Sequence, residues 1–195
     1  FPQWGFPLIG GAMRGVPYPV QKILNGGCRL QLLAPIPSGE RLKCAAHLES
    51  IDDNGRRAVL HTHFTTGTDS VAEAIVCDFY SIVPLGGGSG GEGAKKEKPR
   101  VPVSSRELER WRLTPADGMD FALLTGDFNP VHWMRSYARA SGFKSTILHG
   151  FATMARAMEG VNQGLLEGDV DAMATVDVRF TRPLVLPADV GLYVD

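Results

Sequence analysis

Four consecutive runs with strand character constrain the fold of this chain more than any other feature of its sequence. They are rich in β-branched, aromatic and alternating apolar residues and cover residues 23–33, 42–50, 57–66 and 71–82. Asp52-Asp53-Asn54-Gly55 predicts a tight hairpin turn between the second and third runs, and Gly67-Thr68-Asp69 predicts another between the third and fourth. Consecutive strands joined by short turns are typical of an antiparallel meander, which is the prediction for this half of the chain.

A glycine-rich segment separates these runs from the remainder of the sequence. Residues 85–100 contain Gly-Gly-Gly-Ser-Gly-Gly-Glu-Gly followed by a lysine-rich stretch, a composition typical of a flexible, solvated linker. The sequence therefore predicts an N-terminal half at residues 1–84, a linker at 85–100 and a C-terminal half at 101–195.

The C-terminal half has helical and strand patterns. Residues 106–112 favour a short helix or strand. Thr114-Pro115 predicts a helix that turns Phe121, Ala122 and Leu124 towards a core and ends at Gly126. A second helix from Pro130 is predicted to carry Tyr137 and Ala138 inwards and to end at Gly142, and a third, from Gly150 to about residue 160, to bury Phe151, Met154, Ala155 and Met158. Residues 171–181 and 190–194 predict two strands, which makes the fold class α+β.

Composition and charge exclude several classes of function. Among the 195 residues, 44% are hydrophobic and 21% charged, and the net charge of −1 gives no electrostatic basis for binding nucleic acid or an anionic membrane. No apolar run approaches the ~18–20 residues that a membrane-spanning helix requires. Cys28, Cys44 and Cys77 are widely spaced and predict neither a disulfide framework nor a zinc site, so a reducing cytoplasm is expected. His61 and His63 share one strand face, but without a third ligand nearby a structural role is favoured over metal binding.

The residues best suited to chemistry lie in Leu124-Thr125-Gly126-Asp127-Phe128-Asn129-Pro130-Val131-His132. Pro130 suits the first position of a helix and Asn129 its N-cap, which predicts Asp127 in the preceding loop and His132 in the first helical turn. Such a loop can fold Asp127 back towards His132, so that both contact one water, as acid–base chemistry requires. The same residues also fit ordinary turn and capping chemistry.

This stretch resembles the signature of the MaoC-like dehydratases, or (R)-specific enoyl-CoA hydratases. That signature has an aromatic, an aliphatic and a small residue, then Gly-Asp-x-Asn-Pro-aliphatic-His, and a small residue six positions later. The matching residues are Phe121, Leu124, Thr125, Gly126, Asp127, Asn129, Pro130, Val131, His132 and Ala138. Ser141-Gly142-Phe143 and Ile147-Leu148-His149-Gly150 resemble two further blocks of the family. Met134 departs from the pattern, since many members have Asp there, but that position is not catalytic in the family.

The resemblance implies a hot-dog fold for the C-terminal half, in which an antiparallel sheet wraps around a central helix. The N-terminal half lacks any Gly-Asp-x-Asn-Pro-x-His stretch and looks like a degenerate copy, so a double hot dog with one active site is predicted. Because the chain begins abruptly and its second half offers only two clear strands, the sequence also predicts that it is incomplete at both ends.

The resemblance further implies reversible syn addition of water to a trans-2-enoyl thioester, giving a (3R)-hydroxyacyl thioester. Asp127 and His132 would hold one water and titrate as a coupled pair, with no metal or other cofactor. Asn129 would orient the water or the carboxylate. The backbone N–H of Gly150, at a helix start, would donate to the thioester oxygen, and His149 beside it is predicted to be structural.

The predicted partner is an acyl-CoA or acyl-carrier-protein thioester, and a homodimer is compatible with the sequence. Several cations lie near the motif in sequence, but none is assigned to the nucleotide of coenzyme A: Arg135, Arg139, Lys144 and Arg182. Two alternatives remain. A hot-dog thioesterase would need a carboxylate near the central helix but no Asp127–His132 pair. A non-catalytic binding module would be favoured if either residue were missing, and neither is.

Overall fold

The computed structural model describes residues 3–19, 23–86 and 101–195. The predicted linker lies outside the described residues except for its first two positions. The chain divides into two compact units, Phe1–Ala94 with Met173–Thr181, and Lys95–Ala172 with Arg182–Asp195. The sequence predicts a boundary at the linker alone, whereas the structure also places Met173–Thr181 in the first unit.

The first unit contains a five-stranded antiparallel sheet. Its strands are β1 (Leu24–Leu32), β2 (Lys43–Asp53), β3 (Arg57–Gly67), β4 (Ile75–Pro84) and β6 (Thr175–Arg179), and they lie in the spatial order β2-β3-β4-β1-β6. All four predicted strands of the N-terminal half are present. Asn54, Gly55 and Arg56 connect β2 to β3, and Gly55 has a φ of 76°, which favours glycine.

The predicted meander is correct for β2, β3 and β4 but wrong for β1. Strand β1 pairs with β4, and its other edge pairs with β6. The connection between β1 and β2 contains Pro35 and Pro37, which lack a backbone N–H and do not form a tight hairpin with the flanking strands. Residues 171–181, predicted as a strand of the C-terminal half, supply β6 and cover an edge of β1 that would otherwise be unpaired.

The two faces of β3 have different environments. Residues 58, 60, 62, 64 and 66 are buried, and the ring of Phe64 approaches Gly5, where an added Cβ would lie 2.5 Å from the ring. Gly5 directly precedes helix α1 (Phe6–Ala12). His61 and His63 lie on the opposite face, and one ring nitrogen of each is 2.9 Å from Oδ1 of Asp78. This shared carboxylate supports the structural interpretation of the two histidines.

The second unit combines three helices with a two-stranded antiparallel sheet of β5 (Arg106–Leu113) and β7 (Ala188–Val194). The helices are α2 (Pro115–Thr125), α3 (Arg135–Ala140) and α4 (Gly150–Leu165), and a short 3-10 helix covers Pro130–His132. Helix α4 packs against the sheet through Gly160, where an added Cβ would lie 2.6 Å from Cδ2 of Leu192. The predicted α+β class, with antiparallel sheets and a central helix, is confirmed.

Several details of the helices differ from the prediction. Helix α4 continues to Leu165, because Gly160 and Gly164 serve close packing against the sheet and do not end the helix. Phe151 and Met154 are buried as predicted, whereas Ala155 is exposed. Two further side chains that the sequence predicts in the core lie at the surface, with exposed fractions of 79% for Leu124 and 40% for Tyr137. None of the described helices is long and apolar enough to cross a membrane.

Candidate active site

Helix α2 delivers the chain to the motif with defined ends. A capping box links Thr114 and Asp117 at its start, as the Thr-Pro signal predicts. At its other end Gly126 has a φ of 78°, a left-handed conformation that a side chain would disfavour. The hydroxyl of Thr125 donates to the carbonyl oxygen of Phe121 at 2.7 Å and fixes the last turn. These contacts therefore fix the direction in which the loop that begins at Asp127 leaves the helix.

The segment from Asp127 to His132 is organised by two side chain–backbone hydrogen bonds. Oδ1 of Asp127 accepts from the N–H of Asn129 at 3.3 Å, and Oδ1 of Asn129 accepts from the N–H of Val131 at 3.3 Å. Asn129 is thus the N-cap of the 3-10 helix, as the sequence predicts, and its amide oxygen is used by that cap. A further role for Asn129 in orienting water stays a prediction.

The orientation of His132 is fixed by the backbone of Ile147. Nδ1 of His132 lies 2.8 Å from the carbonyl oxygen of Ile147, and because a carbonyl can only accept, Nδ1 carries the proton. Ile147 is itself held by a bridge to Val185 and by its N–H, which donates to the carbonyl of Val131 at 3.3 Å. Nε2 of a neutral His132 therefore carries a lone pair and is available to a reactant.

Helix α2 also supports His132 directly. An added Cβ on Gly118 would lie 2.1 Å from the carbonyl oxygen of His132, so the helix and the 3-10 segment touch backbone to backbone. Val131, adjacent in the chain, is buried with Ala138 and Ile147 in one apolar cluster. His132 is thus held in place by closely packed helical segments.

His149 is the residue whose position the sequence least anticipates. It is 2% exposed, and its ring stacks on that of His132 with centroids 3.6 Å apart and planes 23° apart. Its Nε2 lies 3.0 Å from the backbone carbonyl of Asp127. The sequence predicts a structural role for His149, and the structure places it in contact with the backbone of Asp127 and the ring of His132. Its place immediately before Gly150 was the available signal.

Asp127, His132 and His149 converge on one small space. A carboxylate oxygen of Asp127 and one ring nitrogen of each histidine all lie within 4.8 Å of one another. Among the described residues no direct hydrogen bond joins these three side chains, and a water at about 2.8 Å from each can bridge groups at such a separation. The arrangement can therefore present one water to a carboxylate and an imidazole together, as the sequence-based hypothesis requires.

Both histidines are held in the neutral form. Burial, and secondarily the neighbouring His149, lowers the pKa of His132 to about 4, although the Ile147 carbonyl and Asp127 oppose the shift. Burial also lowers the pKa of His149, against the opposing effect of Asp127. At neutral pH the site therefore combines uncharged imidazoles with Asp127, and Nε2 of His132 can accept a proton.

The same three residues meet the distance requirement for a metal site. Nδ1 of His132 and Nε2 of His149 each face a backbone carbonyl and are therefore donors, so in the neutral rings only the opposite nitrogen of each could bind an ion. These hydrogen bonds account for the orientation of both rings without a metal ion.

Gly150 begins helix α4 immediately after His149. In the described part of the chain no acceptor engages its backbone N–H, which is one of the unpaired donors at the positive end of the helix dipole. The predicted donor to a developing oxyanion is thus free to act. The four cations near the motif are all exposed, and the geometry assigns none of them to coenzyme A: Arg135, Arg139, Lys144 and Arg182.

Comparison with known proteins identifies the family of the chain. A family profile described as a MaoC like domain matches residues 98–194. The chain is 31% identical to the peroxisomal multifunctional enzyme type 2 of Mus musculus over 185 residues, which are 91% of this chain and 25% of that protein. It is 28% identical over 168 residues to the enoyl-CoA hydratase ChsH3 of Mycobacterium tuberculosis, covering 85% of this chain and 58% of that protein.

A solved structure shows the same fold. The crystal structure of HtdX of Mycobacterium tuberculosis superposes with a TM-score of 0.75 and 19% identity, covering 99% of this chain and 73% of that one. The chain spans less than two thirds of the length of the two curated relatives above, 25% and 58% respectively. The family match covers all the residues that form the candidate site. The chain belongs to the MaoC-like dehydratase family and has a hot-dog fold.

Proposed function

We propose that this chain catalyses the reversible hydration of trans-2-enoyl thioesters to (3R)-hydroxyacyl thioesters in fatty-acid metabolism. One observation carries the proposal. A carboxylate oxygen of Asp127 and a ring nitrogen of the neutral His132 lie within 4.8 Å of each other, a separation that one water can bridge, and the imidazole is oriented by the Ile147 carbonyl. The enoyl-CoA hydratase named among the relatives supports the same reaction class.

The reaction adds the hydroxyl group and the hydrogen of one water to the two carbons of a double bond. The water oxygen attacks C3 of the enoyl group and gives up a proton to the Asp127–His132 pair. The pair delivers a proton to C2 on the same face, so the new C–O and C–H bonds form together with the return of the pair to its starting state. A neutral His132 suits this exchange, because the lone pair on its Nε2 can accept a proton from water without first losing one.

Charge develops on the thioester oxygen as C3 is attacked. The N–H of Gly150 is the donor proposed to stabilise that oxygen, because it is unpaired and lies at the start of α4. Removal of one such donor typically costs about 10²–10³ in rate. Asn129 is proposed to hold the Asp127 loop in place, through its N–H and its cap.

The substrate carrier and the assembly belong to the same proposal. An acyl-CoA thioester is the proposed substrate, with an acyl-carrier-protein thioester as the alternative. A homodimer and a cytoplasmic location stay predictions, and the mouse relative is itself named peroxisomal. The interpretation of residues 1–84 as a degenerate hot-dog half also stays a prediction. It is supported by the antiparallel sheet of that unit and by the absence of a second Gly-Asp-x-Asn-Pro-x-His stretch.

The experiment that tests this proposal follows hydration and thioester cleavage in the same samples. Loss of enoyl absorbance is measured with crotonyl-, octenoyl- and dodecenoyl-CoA, and free thiol is titrated in the same samples. Hydration without thiol release supports the proposal, and the preferred chain length follows from the three rates. Thiol release without hydration would show a thioesterase. If neither occurs with any CoA thioester or with the matching acyl-carrier-protein substrates, the proposal fails.

A further inference from the structure

Three contacts set His149 apart from an ordinary buried histidine. Its Nε2 is 3.0 Å from the Asp127 carbonyl, one face of its ring stacks on His132 at 3.6 Å, and the ring of Phe121 lies 4.9 Å away at 47°. The side chain of His149 therefore contacts the backbone of Asp127, the ring of His132 and the ring of Phe121.

The hydrogen-bond pattern determines the protonation of this ring. The Asp127 carbonyl can only accept, so Nε2 of His149 carries the proton, and in the neutral ring Nδ1 is then an acceptor. Nδ1 is buried, and in the described part of the chain it has no hydrogen-bond partner. A buried acceptor without a partner is destabilising, and an apolar ring at this position would pack without that cost. The polar function of His149 is therefore its Nε2–H, which donates to the carbonyl of Asp127.

The stacking of His149 on His132 restricts the motion of the His132 ring. A His132 side chain anchored only at Nδ1 could still tilt about that hydrogen bond, and the parallel ring of His149 restricts this motion. The carboxylate of Asp127 is 3.9 Å from Nε2 of His149, too far for a direct hydrogen bond. Oδ2 of Asp127 thus stays available to water, while Oδ1 accepts from the N–H of Asn129 and the backbone carbonyl of Asp127 is held by His149.

We propose that His149 is a positioning residue, which fixes the Asp127 loop through its Nε2–H and fixes the His132 ring through its stacked face. This inference rests on the proposed hydration, for which Asp127 and His132 must share one water. It also makes statements about the resting protein that do not depend on any reaction. A misplacement of about 1 Å in a catalytic group can cost about 10²-fold in rate, so such support is consequential.

The first measurement uses the unaltered protein without substrate. Nitrogen-15 NMR of its imidazoles should show His149 as the Nε2–H tautomer and His132 as the Nδ1–H tautomer at pH 7, both neutral. A charged His149, or a His149 protonated at Nδ1, would overturn the proposal. This result stands whether or not the protein hydrates enoyl thioesters, so its failure is distinguishable from failure of the proposed function.

Two variants then separate the two contacts. His149→Gln keeps a donor near the Nε2 position but loses the ring, and His149→Phe keeps a ring but loses the donor. Each should lower kcat for hydration about 10- to 100-fold with KM changed less than about 3-fold, and each should alter the His132 imidazole signals. His47→Gln, at an exposed histidine of the first unit, is the control and should change neither. Unchanged kcat and unchanged His132 signals in both His149 variants would overturn the proposal.

Discussion

Substitution of Gly118 by alanine is the perturbation whose effect follows most directly from the packing of the site. Gly118 lies in α2, and its added Cβ would be 2.1 Å from the carbonyl oxygen of His132. Contacts of Cβ with backbone oxygen below about 3 Å do not occur in well-packed proteins, so the helix and the 3-10 segment must separate by about 1 Å. His132 moves with its backbone, away from Asp127 or from the Ile147 carbonyl.

Two opposing terms decide the effect on stability. Alanine in place of glycine favours a helix by about 1 kcal/mol, whereas overpacking of this kind costs about 1–3 kcal/mol. We expect a net loss of about 1 kcal/mol in the free energy of unfolding. The effect on catalysis should be larger, because a displacement of about 1 Å in a catalytic group can cost about 10²-fold in kcat.

The assay compares Gly118→Ala with Gly10→Ala. Gly10 also lies in a helix, but nothing lies within 4 Å of its added Cβ. The control should therefore keep the rate of enoyl thioester hydration and gain up to about 1 kcal/mol from the helical preference of alanine. If Gly118→Ala were as active as the unaltered protein and equally stabilised, the backbone contact could not be what positions His132.

Three further predictions concern the caps and the titration of the site. The pKa of His132, lowered to about 4 in the folded protein, lies below its ordinary value of 6.5, so the unfolded chain binds more protons between these values. This group therefore leaves stability unaffected above pH 6.5 and reduces the free energy of unfolding by up to about 3 kcal/mol as the pH falls to 4. Equilibrium unfolding at several pH values should show that the free energy of unfolding of His132→Gln falls less over this range than that of the unaltered protein. Thr114→Ala should cost about 1 kcal/mol in urea unfolding through loss of the α2 capping box, and a change below about 0.3 kcal/mol would contradict the role assigned to that box. Asn129→Ala should likewise lose about 1 kcal/mol while Asn129→Asp, which can cap the same N–H, should lose much less; equal losses would show that the cap at Val131 is not what Asn129 contributes to stability.

Local signals in the sequence predict much of this protein. The N-caps at Thr114 and Asn129 and the left-handed end at Gly126 follow from residue types whose preferences act over a few positions. The hairpin at Asn54-Gly55 follows for the same reason. The fold class follows from these elements together with the family signature.

Features that depend on distant parts of the chain could not be read in this way. The pairing of β1 with β4 and β6 is decided by which edges are available in the folded sheet, and the alternation of residues 171–181 is the same whichever sheet they join. The stacking of His149 on His132 requires two segments to meet, the 3-10 helix after α2 and the residues just before α4. The Ile147 carbonyl joins them, and backbone carbonyls carry no signal in a sequence.

The central claim is that Asp127 and His132 together divide one water across the enoyl double bond. The most direct measurement compares kcat/KM for hydration of an enoyl-CoA by the unaltered protein with Asp127→Asn, His132→Gln and the control Asp120→Asn, an exposed carboxylate on α2. Asp127→Asn retains an oxygen for the N–H of Asn129 and removes only the basic carboxylate. We predict losses of about 10³-fold or more in both site variants and an unchanged rate in the control, because the pair acts as one acid–base unit. Folded Asp127→Asn or His132→Gln protein that hydrates the substrate within about 10-fold of the unaltered rate would contradict the account.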